Sequence, residues 1–456
     1  MGEPGTGVLE VQKVAIESIW EFSEMSNQYK AIDEAIRTTQ FIRNKAIRYW
    51  MDNSRELKID RFVLNKYSTT LRNEFPFVAD LNSMAVQSAA ERGWAAISRF
   101  YDNCKKNIAG KKGYPKFQKD CRSVEYKTSG WKLHPTKRQI TFTDKNGIGK
   151  VKLLGKWDIH TYNVKDIKRV RLVRRADGYY AQFCLNIDVT DVQPKTGKEI
   201  GLDVGIESFY TDSNGYQEPN PKFHQKAEQS IKQSQRQIYK KVKGSSGRHK
   251  ARKVYARKHL KVSRQRNEHA KKIARNVCTS NDVVVYEDLS VRNLVKNHCL
   301  AKSISDASWY LFRKWIEYFA AKFDKLAIPV PPHYTSQKCS NCGAIVKKSL
   351  STRTHICNCG CELHRDTNAA INILNLGQQA RGGHPRSNAN GLETSTLLGE
   401  TLTEQVSRLM LESSASSDGE SVNGNYNLKD TVCHNTKTDR TPYSSRCEQQ
   451  RAAVQS

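Results

Sequence analysis

Residues 199 to 215 read EIGLDVGIESFYTDSNG, and the fold prediction depends on this stretch. The run EIGLDVG predicts a β-strand that carries Asp203 near its end, and Phe209 and Tyr210 are typical of a second strand. The residues DSNG at 212 to 215 favour a turn. We therefore predict a hairpin over residues 199 to 216, with DSNG as its turn and an acidic side chain on its first strand.

Two more acidic residues follow at the ends of predicted elements. Glu287 closes the strand-like run VVVYEDL, and Asp366 opens the helical run HRDTNAAINIL. Strand ends and helix starts gather at one edge of a parallel or mixed sheet, so distant carboxylates can converge there. Taken singly, Asp203 also fits a turn, Glu287 an exposed strand end and Asp366 a helix N-cap.

The chemistry of three converging carboxylates points to a metal-dependent nuclease. Cleavage of a phosphodiester needs an activated water and a stabilised leaving oxygen, which two divalent cations about 4 Å apart provide. Mg²⁺ prefers carboxylate oxygens and water as ligands. We therefore predict that Asp203, Glu287 and Asp366 are catalytic Mg²⁺ ligands.

Five of the twelve cysteines lie between positions 339 and 361. Cys339 and Cys342 form a C-S-N-C-G knuckle, and the array at 357 to 361 supplies a second pair of thiols. Four thiolates make a closed tetrahedral zinc site without a position for substrate, so we expect structural zinc. We favour Cys357 with Cys359 as the second pair, and Cys357 with Cys361 remains an alternative.

The segment between residues 222 and 275 is strongly basic and contains only two acidic residues, Glu228 and Glu268. Its pattern predicts two helices with a break at GSSG, residues 244 to 247. The whole chain carries a formal charge of +29, which favours a polyanionic partner such as nucleic acid. The residues of this segment that we expect to bind nucleic acid are Lys240, Lys241, Arg248, Arg252, Lys253, Arg257, Lys258 and Arg264.

The first part of the chain predicts a different architecture. Residues 29 to 103 show helical periodicity, whereas residues 110 to 192 alternate with a period of two and predict a small sheet or barrel. Tyr114 and Lys116 lie in a basic and aromatic loop of this region. That composition suits phosphate contact and base stacking, but it suits an ordinary barrel rim equally well.

Targeting signals are not evident in the sequence. No run of about 18 apolar residues predicts a membrane helix, and the N-terminus lacks the pattern of a secretory signal. Scattered cysteines outside the predicted metal site are typical of a reducing compartment. We expect a cytoplasmic protein, associated with the nucleoid when bound to DNA, with no membrane partner; protein partners are not predicted.

Four motifs together carry a family resemblance: GLDVGIESFYTDSNG, VVVYEDLSVRNL, YTSQKCSNCG and HRDTNAAINIL. They resemble the TnpB proteins of bacterial insertion sequences, which are relatives of type V CRISPR effectors. The similarity spans roughly residues 29 to 378, and GYPKFQ at 113 to 118 resembles the family's linker segment. It implies an α+β multidomain fold: a small wedge-like β-barrel with an inserted helical bundle, then an RNase H-like (RuvC) α/β nuclease domain with an inserted zinc ribbon.

The residue patterns and the resemblance together indicate boundaries along the chain, and the tail follows from its composition alone, which is rich in Ser, Thr, Asn, Gly and Glu. We expect an N-terminal extension at 1–24, a helical recognition module with the start of the barrel at 25–109, the barrel at 110–196, the first part of the nuclease at 197–335, the ribbon at 336–363, the last nuclease helix at 364–378 and a disordered tail at 379–456. Residues 1–24 fit either a strand or a short helix.

The activity implied by the resemblance is RNA-guided DNA cleavage. A noncoding guide RNA pairs with one strand of a target double-stranded DNA, a short motif beside the target is recognised, and both strands are cut at one site. Asp203, Glu287 and Asp366 match the family's first, second and third acids. The implied cofactors are two catalytic Mg²⁺ ions, which Mn²⁺ can replace, and one structural Zn²⁺.

Two features depart from the family's pattern. Members commonly have an Asp two residues before the third acid, where this chain has His364, and their second cysteine pair is commonly C-x-x-C rather than C-x-C-x-C. His364 motivates an alternative, a cleavage-defective RNA-guided DNA-binding protein that acts as a repressor. A transposase-like strand-transfer protein is a further alternative.

Overall fold

The structure is a computed structural model that describes residues 9–15, 22–106, 110–154, 158–186, 190–349 and 352–382, with side chains from residue 27 onward. The predicted tail therefore lies outside the described residues from position 383, as do residues 1–8 and 16–21 of the predicted N-terminal extension. The chain divides into two compact units, residues 1–188 and 189–456.

The first unit begins with a strand and four helices. Strand β1 is Leu9–Ala15, and the helices are α1 Phe22–Asn53, α2 Arg61–Glu74, α3 Pro76–Ala79 and α4 Ser83–Lys105. Asp60 and Asn82 begin α2 and α4 as N-caps, since their side-chain oxygens accept backbone N–H groups that the helix leaves unpaired. Apolar residues of α1 and α4, among them Ile32 and Ala89, are fully buried in the core of this unit.

Six further strands of the first unit form one antiparallel sheet with β1, and two short 3-10 helices, Ile159–Thr161 and Val164–Asp166, precede its sixth strand in the chain. Its strands are β2 Ser123–Lys127, β3 Trp131–Leu133, β4 Gln139–Phe142, β5 Lys150–Leu154, β6 Ile167–Arg175 and β7 Gly178–Leu185. Together with β1 they follow the order β2-β6-β7-β1-β5-β4-β3. Strand β1 thus lies in the middle of the sheet, so residues 9–15 form a strand rather than the alternative short helix.

The second unit is built on a five-stranded mixed sheet. Its strands are β8 Glu199–Val204, β9 Ser208–Asp212, β10 Gln217–Pro219, β11 Val283–Glu287 and β12 Leu326–Val330, in the order β10-β9-β8-β11-β12. β8, β9 and β10 are antiparallel neighbours, whereas β8, β11 and β12 run parallel.

The predicted hairpin is correct in its two strands but wrong in its turn. DSNG joins β9 to β10, and the turn between β8 and β9 is instead residues 205–207. The Asp212 carboxylate accepts the backbone N–H groups of Asn214 and Tyr216, which fixes the turn one strand later than predicted.

Helices and a small ribbon complete the second unit. They are α5 Phe223–Tyr239, α6 Ser246–Ser280, α7 Val291–Leu294, α8 Ala301–Ala307, α9 Trp309–Phe323, the two-stranded ribbon β13 Thr354–Ile356 with β14 Glu362–His364, and α10 Arg365–Gly382. The break between α5 and α6 ends within the predicted GSSG, since Gly244 and Ser245 precede α6 and the last two residues of the motif belong to its first turn. Helix α10 extends four residues beyond the predicted end at 378.

The alternation of apolar side chains along β11 explains why both faces of the sheet are covered. Val284 and Tyr286 pack with residues of α6 and α9, such as Ala274 and Phe312. Val283 and Val285 point to the opposite face and pack with Ile373 of α10 and its neighbours. Because successive side chains of a strand point to opposite faces, this unbroken apolar run builds a three-layer unit.

Candidate active site and metal centre

Asp203 and Glu287 leave the sheet at the same edge. Strands β8 and β11 are parallel, and their register pairs Leu202 with Tyr286, so the next residues along the two strands are Asp203 and Glu287. Leu202 and Tyr286 are buried on the face covered by α6 and α9. The alternation of strand side chains therefore turns both carboxylates toward the α10 face.

Asp366 joins this edge from the first turn of α10. Two glycines allow α10 to lie directly on the sheet: a Cβ on Gly201 of β8 would lie 2.2 Å from the Ala370 carbonyl oxygen, and a Cβ on Gly377 would lie 2.5 Å from a methyl group of Val285. Contacts this close are possible only without a side chain. They bring the start of α10, with Asp366, to the ends of β8 and β11.

The electrostatics show that the three carboxylates are neighbours. Burial raises the pKa of Asp203 well above its usual range, and the negative charges of Glu287 and Asp366 raise it further. Burial also raises the pKa of Glu287, although a hydrogen bond from Thr335 opposes the shift. Such a cluster of like charges is stabilised by cations, and its hard oxygen atoms suit Mg²⁺.

The most closely spaced metal-ligating side chains lie in the cysteine-rich segment. In the described ranges, the two groups of at least three His, Cys, Asp or Glu side chains whose ligand atoms all lie within 4.8 Å of one another both belong to that segment.

Three polar residues that the sequence analysis missed connect this site. The Thr335 hydroxyl donates a hydrogen bond of 2.6 Å to Glu287 Oε1, and Asn372 Nδ2 of α10 donates to the Thr335 carbonyl at 2.8 Å. One turn earlier, Asn368 accepts the backbone N–H of Ser340 at 2.9 Å. The sequence does contain a signal for these residues, namely two asparagines four positions apart in an otherwise apolar helical run. Buried amides need hydrogen-bond partners, so such a pair predicts contacts to another segment.

His364 is exposed and caps the start of α10. Its Nδ1 accepts a hydrogen bond of 3.3 Å from the backbone N–H of Asp366 and lies 3.3 Å from Nε2 of Gln217. The imidazole thus satisfies one of the N–H groups that a helix leaves unpaired at its start. His364 thus contacts the backbone of the third acid through its ring.

The four favoured cysteines come together at one point. The sulfur atoms of Cys339, Cys342, Cys357 and Cys359 all lie within 4.8 Å of one another. Cys339 and Cys359 are 3.6 Å apart, and Cys342 and Cys357 are 3.5 Å apart. Sulfur atoms on a tetrahedral zinc ion with bonds of about 2.3 Å are separated by about 3.8 Å. The four thiols therefore fit a zinc ion.

A second, overlapping group shares Cys339. It consists of Cys339, His355 and Cys361, and the His355 ring is fully buried and accepts a hydrogen bond from Lys348 Nζ. Cys361 is the alternative ligand that the sequence predicts, whereas no sequence pattern predicts His355 as a ligand. Burial raises the pKa of the Cys339 thiol, but hydrogen bonds from the backbone N–H groups of Cys342 and Asn341 lower it more, to about 5. Cys339 is therefore ready to bind metal as a thiolate at neutral pH.

The α5–α6 hairpin presents most, but not all, of the predicted basic residues to solvent. The exposed ones are Lys240, Lys241, Arg252, Lys253, Arg257 and Arg264. Arg248 and Lys258 are half-buried: Arg248 Nη1 donates to the carbonyls of Ile238 and Lys241, and Lys258 Nζ donates to that of Ser230. These two cations hold α5 and α6 together, since charged donors can satisfy carbonyls at a helix end.

Asp306 does not cap the aromatic helix α9, although it lies just before that helix in the sequence. Asp306 lies within α8, and Ser308 precedes α9. The Asp306 carboxylate instead accepts the backbone N–H groups of His224 and Gln225 at the start of α5, and Arg266 of α6 donates to it at 2.9 Å. Asp306 therefore connects the basic hairpin to α8.

In the first unit, Tyr114 and Lys116 are both exposed. The ring of Tyr114 contacts Trp50 and Phe100, with centroids 5.4 and 5.3 Å away. One side of the Tyr114 ring thus packs against aromatic side chains of α1 and α4.

Among the described helices, none is both long enough and apolar enough to cross a membrane.

Two family models match successive stretches of the chain, which begin at the end of the first unit and lie mostly in the second. Residues 182–298 match the OrfB_IS605 model, described as a probable transposase, and residues 309–373 match the model described as Cas12f1-like, TNB domain. The first match contains Asp203 and Glu287. The second contains the cysteine cluster and Asp366.

Curated relatives are similar over a larger part of the chain. A Streptomyces pristinaespiralis protein named "Putative RNA-guided DNA endonuclease" is 29% identical over 377 residues, which cover 79% of this chain and 89% of that protein. InsQ of Escherichia coli K12, which has the same description, is 29% identical over 266 residues, or 54% of this chain and 60% of InsQ. A TnpB-like protein of Acanthamoeba polyphaga mimivirus, L79, is 26% identical over 125 residues, which cover 26% of this chain and 24% of L79.

Among solved structures, a cryo-EM structure of a Cas12f1–sgRNA–target DNA complex matches with a TM-score of 0.31 and 14% identity. The match covers 81% of this chain and 99% of that one.

Proposed function

The chain belongs to the TnpB family, and from this premise we propose that it is an RNA-guided DNA endonuclease encoded by an insertion sequence. The observation that carries the proposal is the convergence of Asp203, Glu287 and Asp366 at one sheet edge, where the charges of the other two raise the pKa of Asp203. A phosphodiester hydrolase needs such a cluster to hold its cations.

We assign the second unit to an RNase H-like (RuvC) nuclease with an inserted zinc ribbon. The strand order β10-β9-β8-β11-β12 supports this assignment. Its first three strands are antiparallel neighbours, and β11 and β12 then extend the sheet parallel to β8. The ribbon is inserted between β12 and α10. In the first unit, we assign the seven-stranded sheet to the wedge barrel and α1 to α4 to the recognition module.

Asp203, Glu287 and Asp366 would hold two Mg²⁺ ions, which Mn²⁺ can replace, and the four cysteines would hold one structural Zn²⁺. When bound, the two Mg²⁺ ions supply an activated water and charge stabilisation for the leaving oxygen. The carboxylates must be ionised to bind cations, and Thr335 stabilises the ionised form of Glu287 through its hydrogen bond.

Guide RNA and target double-stranded DNA are the proposed partners. The exposed cations of the α5–α6 hairpin, such as Arg252 and Arg257, would contact phosphates, as would Lys116, with Tyr114 available for base stacking. Phosphate contacts carry no sequence information, so target choice would come from base pairing with the guide and from the short motif beside the target.

The test is a cleavage assay with the full chain. The protein is co-expressed with RNA transcribed from its flanking element and incubated with a matched duplex next to a randomised motif, with Mg²⁺ or EDTA. We expect Mg²⁺-dependent cleavage by the parent and by Asp288→Asn, whose exposed carboxylate adjoins Glu287 and pairs with Arg313. Asp203→Asn should bind the duplex without cutting it.

Three outcomes would contradict the proposal. Intact DNA across the whole library, despite bound RNA and guide-directed DNA binding, would favour the repressor alternative. Joined strands would favour the strand-transfer alternative. Cleavage by Asp203→Asn at the parental rate would show that Asp203 is not a catalytic Mg²⁺ ligand.

A further inference from the structure

Thr335 lies beside Glu287 and directly follows a residue with a strained backbone. The residue before it, Tyr334, is exposed and has a φ angle of +59°, a left-handed conformation that is costly for a bulky side chain. The Tyr334 carbonyl accepts the backbone N–H groups of Gln337 and Lys338, which closes a tight turn. Strain of this kind persists where the surrounding structure requires it and is concentrated at functional sites.

The turn directs the Thr335 hydroxyl at Glu287. The donor–acceptor distance to Glu287 Oε1 is 2.6 Å, and Thr335 is only 7% exposed. A short hydrogen bond to a carboxylate is charge-assisted and directional. It restricts which way the Glu287 carboxylate faces.

Helix α10 holds the turn in place through Asn372. Its side chain is 5% exposed, and its Nδ2 donates to two carbonyls, those of Thr335 at 2.8 Å and Lys338 at 2.6 Å. An amide nitrogen has two hydrogens, so this donor is fully used. The helix that carries Asp366 thereby also fixes the segment that orients Glu287.

The same helix holds the cysteine knuckle. Asn368, which is fully buried, donates to the Lys338 carbonyl at 2.8 Å and accepts the backbone N–H of Ser340, which lies between Cys339 and Cys342. The two asparagines are four residues apart on one face of α10. One continuous set of hydrogen bonds therefore runs from the knuckle through α10 to Glu287.

We propose that Thr335 is a positioning residue that Asn372 holds against Glu287, so that divalent-cation binding at the carboxylates depends on this turn. The proposal rests on the proposed function, since it assumes that Glu287 is a metal ligand. Partners that orient a metal ligand typically account for 10- to 100-fold in metal affinity. In this role Thr335 would act on the cation through Glu287 and not as a ligand itself.

The test measures Mn²⁺ affinity of the full chain, freed of nucleic acid, by the loss of the free-ion electron paramagnetic resonance signal. Thr335→Val keeps the side-chain shape but removes the hydroxyl, and it should weaken Mn²⁺ binding by about 10- to 100-fold. Thr335→Ser restores a hydroxyl and should bind within about threefold of the parent. Zinc content and thermal midpoint report whether each variant is folded.

A double-mutant cycle tests whether Asn372 acts through Thr335. Asn372→Ala should weaken Mn²⁺ binding in the parent but add little in Thr335→Val, because residues acting in one network are not additive. Losses that multiply would show two independent effects and would overturn this part of the proposal. If Asn372→Ala does not fold, the comparison of Thr335→Val with Thr335→Ser alone tests the positioning role of Thr335.

The outcomes separate this proposal from the proposed function. If zinc-loaded Thr335→Val binds Mn²⁺ as tightly as the parent and Asp203→Asn binds it weakly, the positioning role of Thr335 is overturned and the proposed function is not. Equal Mn²⁺ binding by the parent and Asp203→Asn overturns both. Mn²⁺ binding that depends on Thr335, in a protein that cuts no DNA with its own RNA, supports the positioning role and overturns the proposed cleavage.

Discussion

Gly201 of β8 lies against the backbone of Ala370 so closely that an added Cβ would be 2.2 Å from the Ala370 carbonyl oxygen. This contact sets the distance between the sheet, which carries Asp203 and Glu287, and the helix that carries Asp366. The nearest atoms are backbone atoms, so a side chain at position 201 cannot be accommodated by a rotamer change.

We predict that Gly201→Ala displaces α10 from the sheet and lowers both stability and cleavage. Overpacking of this kind costs about 1–3 kcal/mol, or more where backbone must move, and the shift of Asp366 should reduce the cleavage rate by at least tenfold. Chemical denaturation and cleavage rates measure the two effects.

The matched control is Gly247→Ala in α6. An added Cβ there meets only side-chain atoms at 3.8 Å or more, and alanine favours a helix by about 0.5–1 kcal/mol over glycine. Cleavage should be unchanged. Equal effects of the two substitutions would show that the close approach at Gly201 has no role in the site.

We predict different results for two cysteines that are two residues apart. Cys359→Ser removes one of the four thiols that lie within 4.8 Å of one another and should reduce the zinc content well below one ion per chain. Cys361→Ser should retain zinc. Elemental analysis of purified protein measures both, and the reverse result would assign the ion to the group of Cys339, His355 and Cys361.

We predict that exposed cations of α6 determine the salt dependence of nucleic-acid binding. Replacing Arg252, Lys253 and Arg257 with Gln should weaken binding and lower the slope of log K against log salt by about 1 for each phosphate that the variant no longer neutralises. Fluorescence anisotropy over a salt series measures this slope. Lys198→Gln, an exposed lysine that precedes β8, is the control, and an equal change in it would assign the effect to net charge alone.

We predict that Asp306→Ala destabilises the second unit by about 3–5 kcal/mol. The substitution removes the cap of α5 and leaves Arg266, whose side chain is 20% exposed, without this carboxylate. Asp288→Ala, which breaks the more exposed pair with Arg313, should cost about 1 kcal/mol or less. Urea denaturation compares the two, and similar decreases in stability would mean that the capping role of Asp306 contributes little.

Much of the secondary structure could be predicted because it depends on local patterns. Short runs rich in apolar residues predict β8 and β11, the GSSG motif indicates a break between two helices, and the cysteine spacing predicts a knuckle. These signals can be read because periodicity and turn chemistry act over a few residues. The DSNG turn was assigned one strand too early because a short turn at Gly205 has little sequence signal. Asp306 caps α5, a helix distant in sequence, and capping of this kind leaves no local pattern.

By itself, the sequence determined which side chains are available: three acids at the ends of elements, five clustered cysteines and a basic helical segment. Only the tertiary structure decided how they are used, because hydrogen bonds between distant residues depend on packing. Three contacts show this: the close approach of α10 to Gly201, the hydrogen bond from Thr335 to Glu287, and the hydrogen bond from Arg248 to a backbone carbonyl. Each contact depends on where the folded backbone brings residues that are distant in sequence. Every residue has a backbone, so no residue pattern reveals which of these groups will meet.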